Sequence, residues 1–290
     1  MASTIPDGSS WIRELIVDFV SSPENTLKNP ENDPAWAEPI IGFSSGGDSL
    51  YKFYKEDIGG FYLTPLEFFA NEYPNTNATA DELTIISWIL PQTEATKTDH
   101  RKEKYFPCER WARSRIYGEE YNDKLRAHIV QELKQARIQA VAPALSPLFK
   151  SEKSKTYGFA STWSERHAAY ASGLGTFGLS DGLITPVGKA MRCGSIIARI
   201  AIPPTPRPYN NHHAYCLFYT NGTCGKCIER CPIGAITKEG HNKELCSKYV
   251  NMTRQYVERL YKFNGYGCGL CQTSVPCESG IPAGLQITAH

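Results

Sequence analysis

No run of eighteen apolar residues occurs anywhere in the sequence, so nothing in it is long enough to span a membrane as a helix. There is no basic excess either. Against 30 Asp+Glu stand 31 Lys+Arg, a net charge of +1, which argues against nucleic acid as the main partner. The opening "MASTIPDGSSWIRELIVDFV" lacks a basic leader, a twin arginine and a small-residue cleavage site, so the expected location is the cytoplasm. The first two hundred residues carry no internal repeat and no low-complexity tract.

What the chain has in quantity is cysteine, ten in 290 residues. Eight of them follow residue 215, leaving Cys108 and Cys193 apart. A secreted disulfide framework comes with a leader and a much shorter chain, so clustered cysteines here read as metal ligands.

The clearest boundary is "IPPTPRP" (202–208), whose four prolines cannot continue a helix or central strand. It divides an expected larger domain, 1–205, from a cysteine-rich one, 209–290. In the larger part "WIRELIVDFV" predicts a helix, and "TPLEFFANEY" another with Thr64 as N-cap and Pro65 at its first position. "LTIISWIL" (83–90) predicts a buried strand ended by Pro91. Leu125, Ile129, Leu133 and Ala136 keep helical spacing through "DKLRAHIVQELKQARIQ". "IQAVAP" predicts a strand, "WSERHAAYAS" a helix and "KAMRCGSIIARIAI" a long strand. The alternation predicts an α/β or α+β core.

The cysteine-rich part holds two related halves, "CGKCIERCPIGAI" (224–236) and "GCGLCQTSVPCESGIP" (267–282), joined by a predicted amphipathic helix marked by Leu245, Tyr249, Met252, Tyr256 and Leu260. The layout resembles a two-cluster ferredoxin. Two 4Fe–4S clusters need eight thiolates, and the part supplies eight. In the bacterial spacing C-x2-C-x2-C-x3-C-P, the cysteine before proline serves the other cluster. Asn221 stands where the first cysteine of that run belongs, and Cys216 replaces it through a loop with an Asn-Gly turn signal. The first cluster then takes Cys216, Cys224, Cys227 and, by elimination, Cys277. The second takes Cys231, Cys246, Cys268 and Cys271. Val275 holds the place where the second half should carry its cysteine, so Cys277 follows its proline instead of preceding it. Zinc is the competing reading of C-x2-C pairs, and the Cys-Pro step and the full count of eight favour iron–sulfur.

"GLGTFG" (173–178) matches G-x-G-x-x-G, but a dinucleotide fingerprint needs a strand before it, a helix after it and an acid about twenty residues on. A predicted helix precedes it, and after Asp181 the next acid is Glu229. Its glycines either admit a large flat ligand close to the backbone or shape a turn.

The wider stretch "SERHAAYASGLGTFGLSDGLITPVGKAMRCGS" resembles the cobalamin-dependent iron–sulfur reductases, the group of epoxyqueuosine reductase and the reductive dehalogenases. The resemblance runs over about 155–282. It implies a nitroreductase-like α+β sandwich binding cobalamin without a protein ligand to cobalt, followed by a ferredoxin-like two-cluster module. It places cobalamin against Gly173, Leu174, Gly175, Thr176, Phe177, Gly178, Met191 and Cys193. It also implies an electron donor such as ferredoxin or flavodoxin and a small-molecule substrate. Arg192 stands near where dehalogenases hold an arginine at the substrate, and Tyr170 is a candidate proton donor, with Tyr157 beside it. The departures are specific. Phe159 occupies the position of the aspartate that epoxyqueuosine reductase carries six residues before the glutamate of its "ER". The reductase is the first expectation. An electron-transfer protein, or an activator of another corrinoid protein, is the alternative. His167, His212 and His213 are expected to be structural, and Cys193 a small buried side chain.

Overall fold

The structure, a computed structural model, describes residues 7–285. Its centre is a four-stranded sheet in the order β1-β2-β8-β3, every pairing antiparallel. In chain order the larger part runs α1 (Gly8–Val20), β1 (Ile40–Ser45), α2 (Ser49–Ile58), α3 (Pro65–Glu72), β2 (Thr84–Pro91) and α4 (Glu94–Arg101). Then come α5 (Glu109–Gln135), β3 (Ala140–Val141), a hairpin β4 (Ser151–Ser154) and β5 (Gly158–Ser161), and α6 (Glu165–Ala171). β6 (Thr176–Phe177), β7 (Leu183–Ile184) and β8 (Met191–Ala198) complete it.

Strand β2 is buried along its whole length because both faces are covered. Side chains alternate across a strand, so Ile86, Trp88 and Leu90 face α1 and α5 while Ile85 packs with α2, α3 and α6. The result is a helix–sheet–helix sandwich of mixed α and β content. The all-antiparallel sheet takes the α+β side of the expected pair. Helix α3 starts where the sequence says: Thr64 and Glu67 form a capping box with Pro65 in the first turn. Helix α5 begins at Glu109, well before the stretch its aliphatic spacing marks, since Trp111, Arg113 and Arg115 blur the apolar period there.

The cysteine-rich part carries α7 (Leu217–Asn221), α8 (Lys226–Glu229), β9 (Ile236–Thr237), β10 (Gly240–His241) and α9 (Lys243–Tyr261). The helix α9 is where it was expected, but its buried line is Thr253 and Val257. Leu245, Met252 and Leu260, counted as part of the apolar face, are exposed. Its inner face meets β5, α5 and the 105–107 segment, where Tyr256 stacks on Phe106 at 4.1 Å and Thr253 Oγ1 accepts from the Gly267 N–H at 3.1 Å. The proline-rich connector is extended as expected, yet it is pinned: Thr205 exchanges hydrogen bonds with Phe43 at 2.9 Å, and Arg207 pairs with Asp48.

Candidate functional site

Cys216 precedes α7, and that helix ends at Gly222 in the left-handed region (φ 70°). Asn221 Oδ1 accepts from the Thr223 N–H at 3.1 Å, folding the loop back toward Cys224. This is the turn that the Asn-Gly pair signals. Cys216, Cys224, Cys227 and Cys277 then line one narrow cavity with Gly178, Leu179, Ile184, Lys189 and Tyr215. Cys231 and Cys246 lie close enough to Cys268 and Cys271 to raise their pKa values, which marks a second neighbourhood, although Cys271 also acts on Cys227. Burial is the larger cause: it pushes Cys227 up to about 11 and Cys268 up to about 12. The two neighbourhoods adjoin at Cys227 and Cys271.

Two segments of the larger part clasp these turns. Lys189 donates its backbone N–H to the Cys277 and Glu278 carbonyls at 2.8 and 3.1 Å, and Ala190 donates to Glu278 at 3.2 Å. The second clasp comes from α4 and the start of α5. Glu278, buried, pairs with Arg101, and Lys97 reaches Ser279 at 2.8 Å. Arg230, between Cys227 and Cys231, gives its guanidinium to the carbonyls of Leu270, Thr273, Glu103 and His100.

The donor chemistry can be tested against a thiolate-bound cluster. The first cavity offers four thiols and no carboxylate or imidazole, a soft sulfur set. Among the described residues no three His, Cys, Asp or Glu side chains are arranged to hold a single metal ion. The cavity is tight, about 20 Å³, so the fit rests on donors and charge rather than on room. Charge enters through Lys189, which is 3% exposed. Burial favours its neutral form, but thiolates at Cys277, Cys271, Cys227 and Cys216 outweigh that and hold its pKa above the ordinary lysine value.

The glycine loop does not form an open cradle. A Cβ on Gly173 would come within 2.6 Å of the Pro206 carbonyl, and one on Gly175 within 2.3 Å of the Ile184 carbonyl. These glycines make room for the chain's own backbone, which is the turn-shaping alternative. Leu174 and Cys193 are buried together in one apolar cluster, and Thr176 is fully buried. Burial pushes the Cys193 thiol up to about 12. What remains for a flat cofactor is the rim: Gly173, Phe177 and Met191 are half-buried. Phe177 lies beside His167 and Tyr170, with ring centroids 4.9 and 5.8 Å away, and its carbonyl meets His213 Nδ1 at 2.8 Å. Next to it Asp181 pairs with His241 at 3.1 Å and lies 3.9 Å from Lys243.

The catalytic candidates fall differently. Arg192 Nε lies 3.1 Å from Glu119 Oε2 without a hydrogen bond, and Glu119 also pairs with Arg126 at 3.4 Å. Tyr157 donates to Asp57 at 2.8 Å. Tyr170 is half-buried on the rim beside Tyr209, and burial raises its pKa. Burial drives His167 down to about 3 and keeps it neutral. Phe159 is exposed at the hairpin, its carbonyl accepting from Lys243 at 3.4 Å. Glu165, the acid of the "ER" step, is half-buried, pairing with Arg126 at 3.1 Å and accepting from Ser195. Burial raises its pKa, and the guanidinium and the hydroxyl oppose the rise.

No family model matches the chain. The epoxyqueuosine reductase of Bacillus anthracis is 29% identical over 124 residues, which make up 41% of this chain and 30% of that protein. The epoxyqueuosine reductase of Bacillus subtilis is 24% identical over 170 residues, 57% of this chain and 39% of that one. The chain thus spans less than half the length of the curated relatives it matches. A crystal structure of selenomethionine-labelled epoxyqueuosine reductase superposes on 85% of this chain and 64% of its own, at 21% identity and a TM-score of 0.47. A catabolic reductive dehalogenase superposes on 93% and 36%, at 14% identity and a TM-score of 0.48.

Proposed function

We propose, from the chain's kinship with the cobalamin-dependent iron–sulfur reductases, that it is an oxidoreductase holding two 4Fe–4S clusters that feed electrons to cobalamin for reduction of an organic substrate. The observation that supports this is that Cys216, Cys224, Cys227 and Cys277 line one cavity, with the other four late thiols beside it and Cys271 next to both groups. In this reading Cys216, Cys224, Cys227 and Cys277 hold one cluster, and Cys231, Cys246, Cys268 and Cys271 the other. Residues 1–205 form a nitroreductase-like unit and 209–290 a ferredoxin-like one, with 1–6 and 286–290 outside the described residues. A ferredoxin or flavodoxin is the fitting donor.

Cobalamin, when bound, supplies a low-potential nucleophilic metal centre. The chain's contribution is position and exclusion. Gly173, Phe177 and Met191 offer the contact rim, while the packed loop beneath keeps water from the cysteine cavity. Tyr170 is the phenol on that rim and the best-placed proton donor; Arg192 balances Glu119 near the same strand.

A second reading has its own support. Phe159 stands in place of an acid, and the glycine loop is filled by the chain's own backbone, both of which suit an electron carrier or an activator of a separate corrinoid protein. Anaerobic reconstitution with iron, sulfide and cobalamin separates the two. One cobalt retained per chain after gel filtration, followed by substrate-dependent reoxidation of the reduced protein, supports the reductase. Iron retained with no cobalt moves the assignment to the carrier.

A further inference from the structure

We infer that Lys189 is a built-in counter-charge for the cluster held by Cys216, Cys224, Cys227 and Cys277, and that it makes this cluster easier to reduce than its neighbour. The inference rests on the two-cluster reading and adds an order of potentials to it.

The first ground is an imbalance of partners. An ammonium has three donors and carries a full charge, and such groups are buried only when paired. Lys189 is 3% exposed. Among the described residues its Nζ hydrogen-bonds only to Ser180 Oγ, at 3.2 Å, and no carboxylate lies within ion-pair distance. It lines the same cavity as all four thiols of the first set. A cluster bound by four thiolates is anionic and gains one more negative charge when reduced. It is the partner this ammonium lacks.

The second ground is that the lysine is held in place. Its own N–H is bonded to the Cys277 and Glu278 carbonyls. The residue before it, Gly188, has φ +89°, and a Cβ there would fall 2.0 Å from the Glu278 carbonyl oxygen, so the register of this segment against Cys277 is fixed. The stem lies along Gly182, where a Cβ would meet Lys189 Cδ at 2.9 Å. A charge fixed in a region of low dielectric acts far more strongly than one in water.

The third ground is the contrast with the second set. Of that set Lys189 reaches only Cys271, against Cys277, Cys227 and Cys216 of the first, and Arg230 beside it is half-buried and spends its guanidinium on four backbone carbonyls. Cluster potentials respond to local charge and to solvent exposure. A nearby fixed cation favours the more negative, reduced state, so the first cluster is expected at the higher potential and electrons settle there.

The test is an EPR-monitored redox titration of the reconstituted full chain and of Lys189→Met and Lys189→Arg, one electron per cluster from a chemical reductant, with iron counted in every sample. The wave belonging to the first cluster is the one that Cys224→Ala removes. In Lys189→Met that wave is expected to shift to lower potential by at least about tenfold in its equilibrium, about 59 mV for a one-electron couple, while the other wave moves less. Lys189→Arg should stay near the native value. Loss of four irons from Lys189→Met but not from Lys189→Arg also supports the counter-charge. Equal shifts of both waves, no shift in a fully loaded Lys189→Met, or iron loss from both variants overturns it. A native chain that takes up no iron sinks the two-cluster reading itself, which is a different result from a loaded chain whose potentials ignore Lys189.

Discussion

The two cysteine neighbourhoods have the same number of thiols and different surroundings. The first is backed by the larger part of the chain: the β7–β8 segment supplies Ile184 and Lys189, and the backbone of 188–190 is bonded to the turn that carries Cys277. The second is bounded by α9, whose outward residues Leu245 and Met252 are exposed, and by the α4–α5 junction, where His100 stacks on Trp111 at 4.1 Å. Equal thiol counts in unequal surroundings teach that, in the two-cluster reading, the count sets how many clusters could be held and the surroundings set how the two would differ. The inner set has the buried charge; the outer set has the accessible rim.

The largest effect that could break this comparison is at Cys277, the proposed ligand placed after its proline. Replacing it in Cys277→Ala should cost one cluster, leaving about four irons per chain after reconstitution. Iron retained at the native level would mean that the first set closes with another donor, and the division into inner and outer sets would have to be redrawn.

Next in size is the clasp. Gly188→Ala places a side chain at positive φ and against a carbonyl only 2.0 Å away. A loss of about 3 kcal/mol in urea unfolding of the metal-free chain is expected. On reconstitution the inner cluster should be affected first. A variant as stable as the native chain would show that the 188–190 segment does not hold the inner set.

The smallest effect serves as a control away from the thiols. His167 titrates near 6.5 in the unfolded chain and only at about 3 when folded, because the fold desolvates its half-buried ring. Above pH 6.5 neither state binds its proton and the folded protein has its full stability. Below 6.5 the unfolded chain takes up a proton that the folded one refuses. Stability is therefore lost as pH falls toward 3, by at most about 1.4 kcal/mol per pH unit from this group. His167→Gln should flatten that part of the profile in unfolding experiments from pH 7 to pH 5, without changing the iron count. An unchanged slope would place the pH sensitivity elsewhere.

Much of the frame is legible in the residues. Thr64-Pro65 with Glu67 declares a helix start, and the short β-branched, largely apolar run of β2 declares a buried strand. Cys216, Cys224, Cys227 and Cys277, which the spacing puts together, line one cavity, and Cys216 returns through the Asn221-Gly222 turn. The rest is not legible, for physical reasons. Strand β1 is short and half small residues, so its burial comes from pairing with β2 rather than from its own pattern. The glycines of the loop look the same whether they admit a ligand or a neighbouring carbonyl, and only the position of Pro206 and Ile184 decides. On α9, helical spacing identifies the helix but assigns Leu245, Met252 and Leu260 to the wrong face. Lys189 gives no local signal at all. A lysine in "VGKAM" reads as surface until the turn around Cys277 is laid over it.

The central claim is that this chain carries two iron–sulfur clusters in two unlike shells. Its most direct test is iron and acid-labile sulfide analysis of the anaerobically reconstituted protein, with the metal content of the native preparation measured alongside. Two cubanes require about eight irons and eight sulfides per chain. Zinc bound in place of iron, with no labile sulfide, would contradict the account at its root.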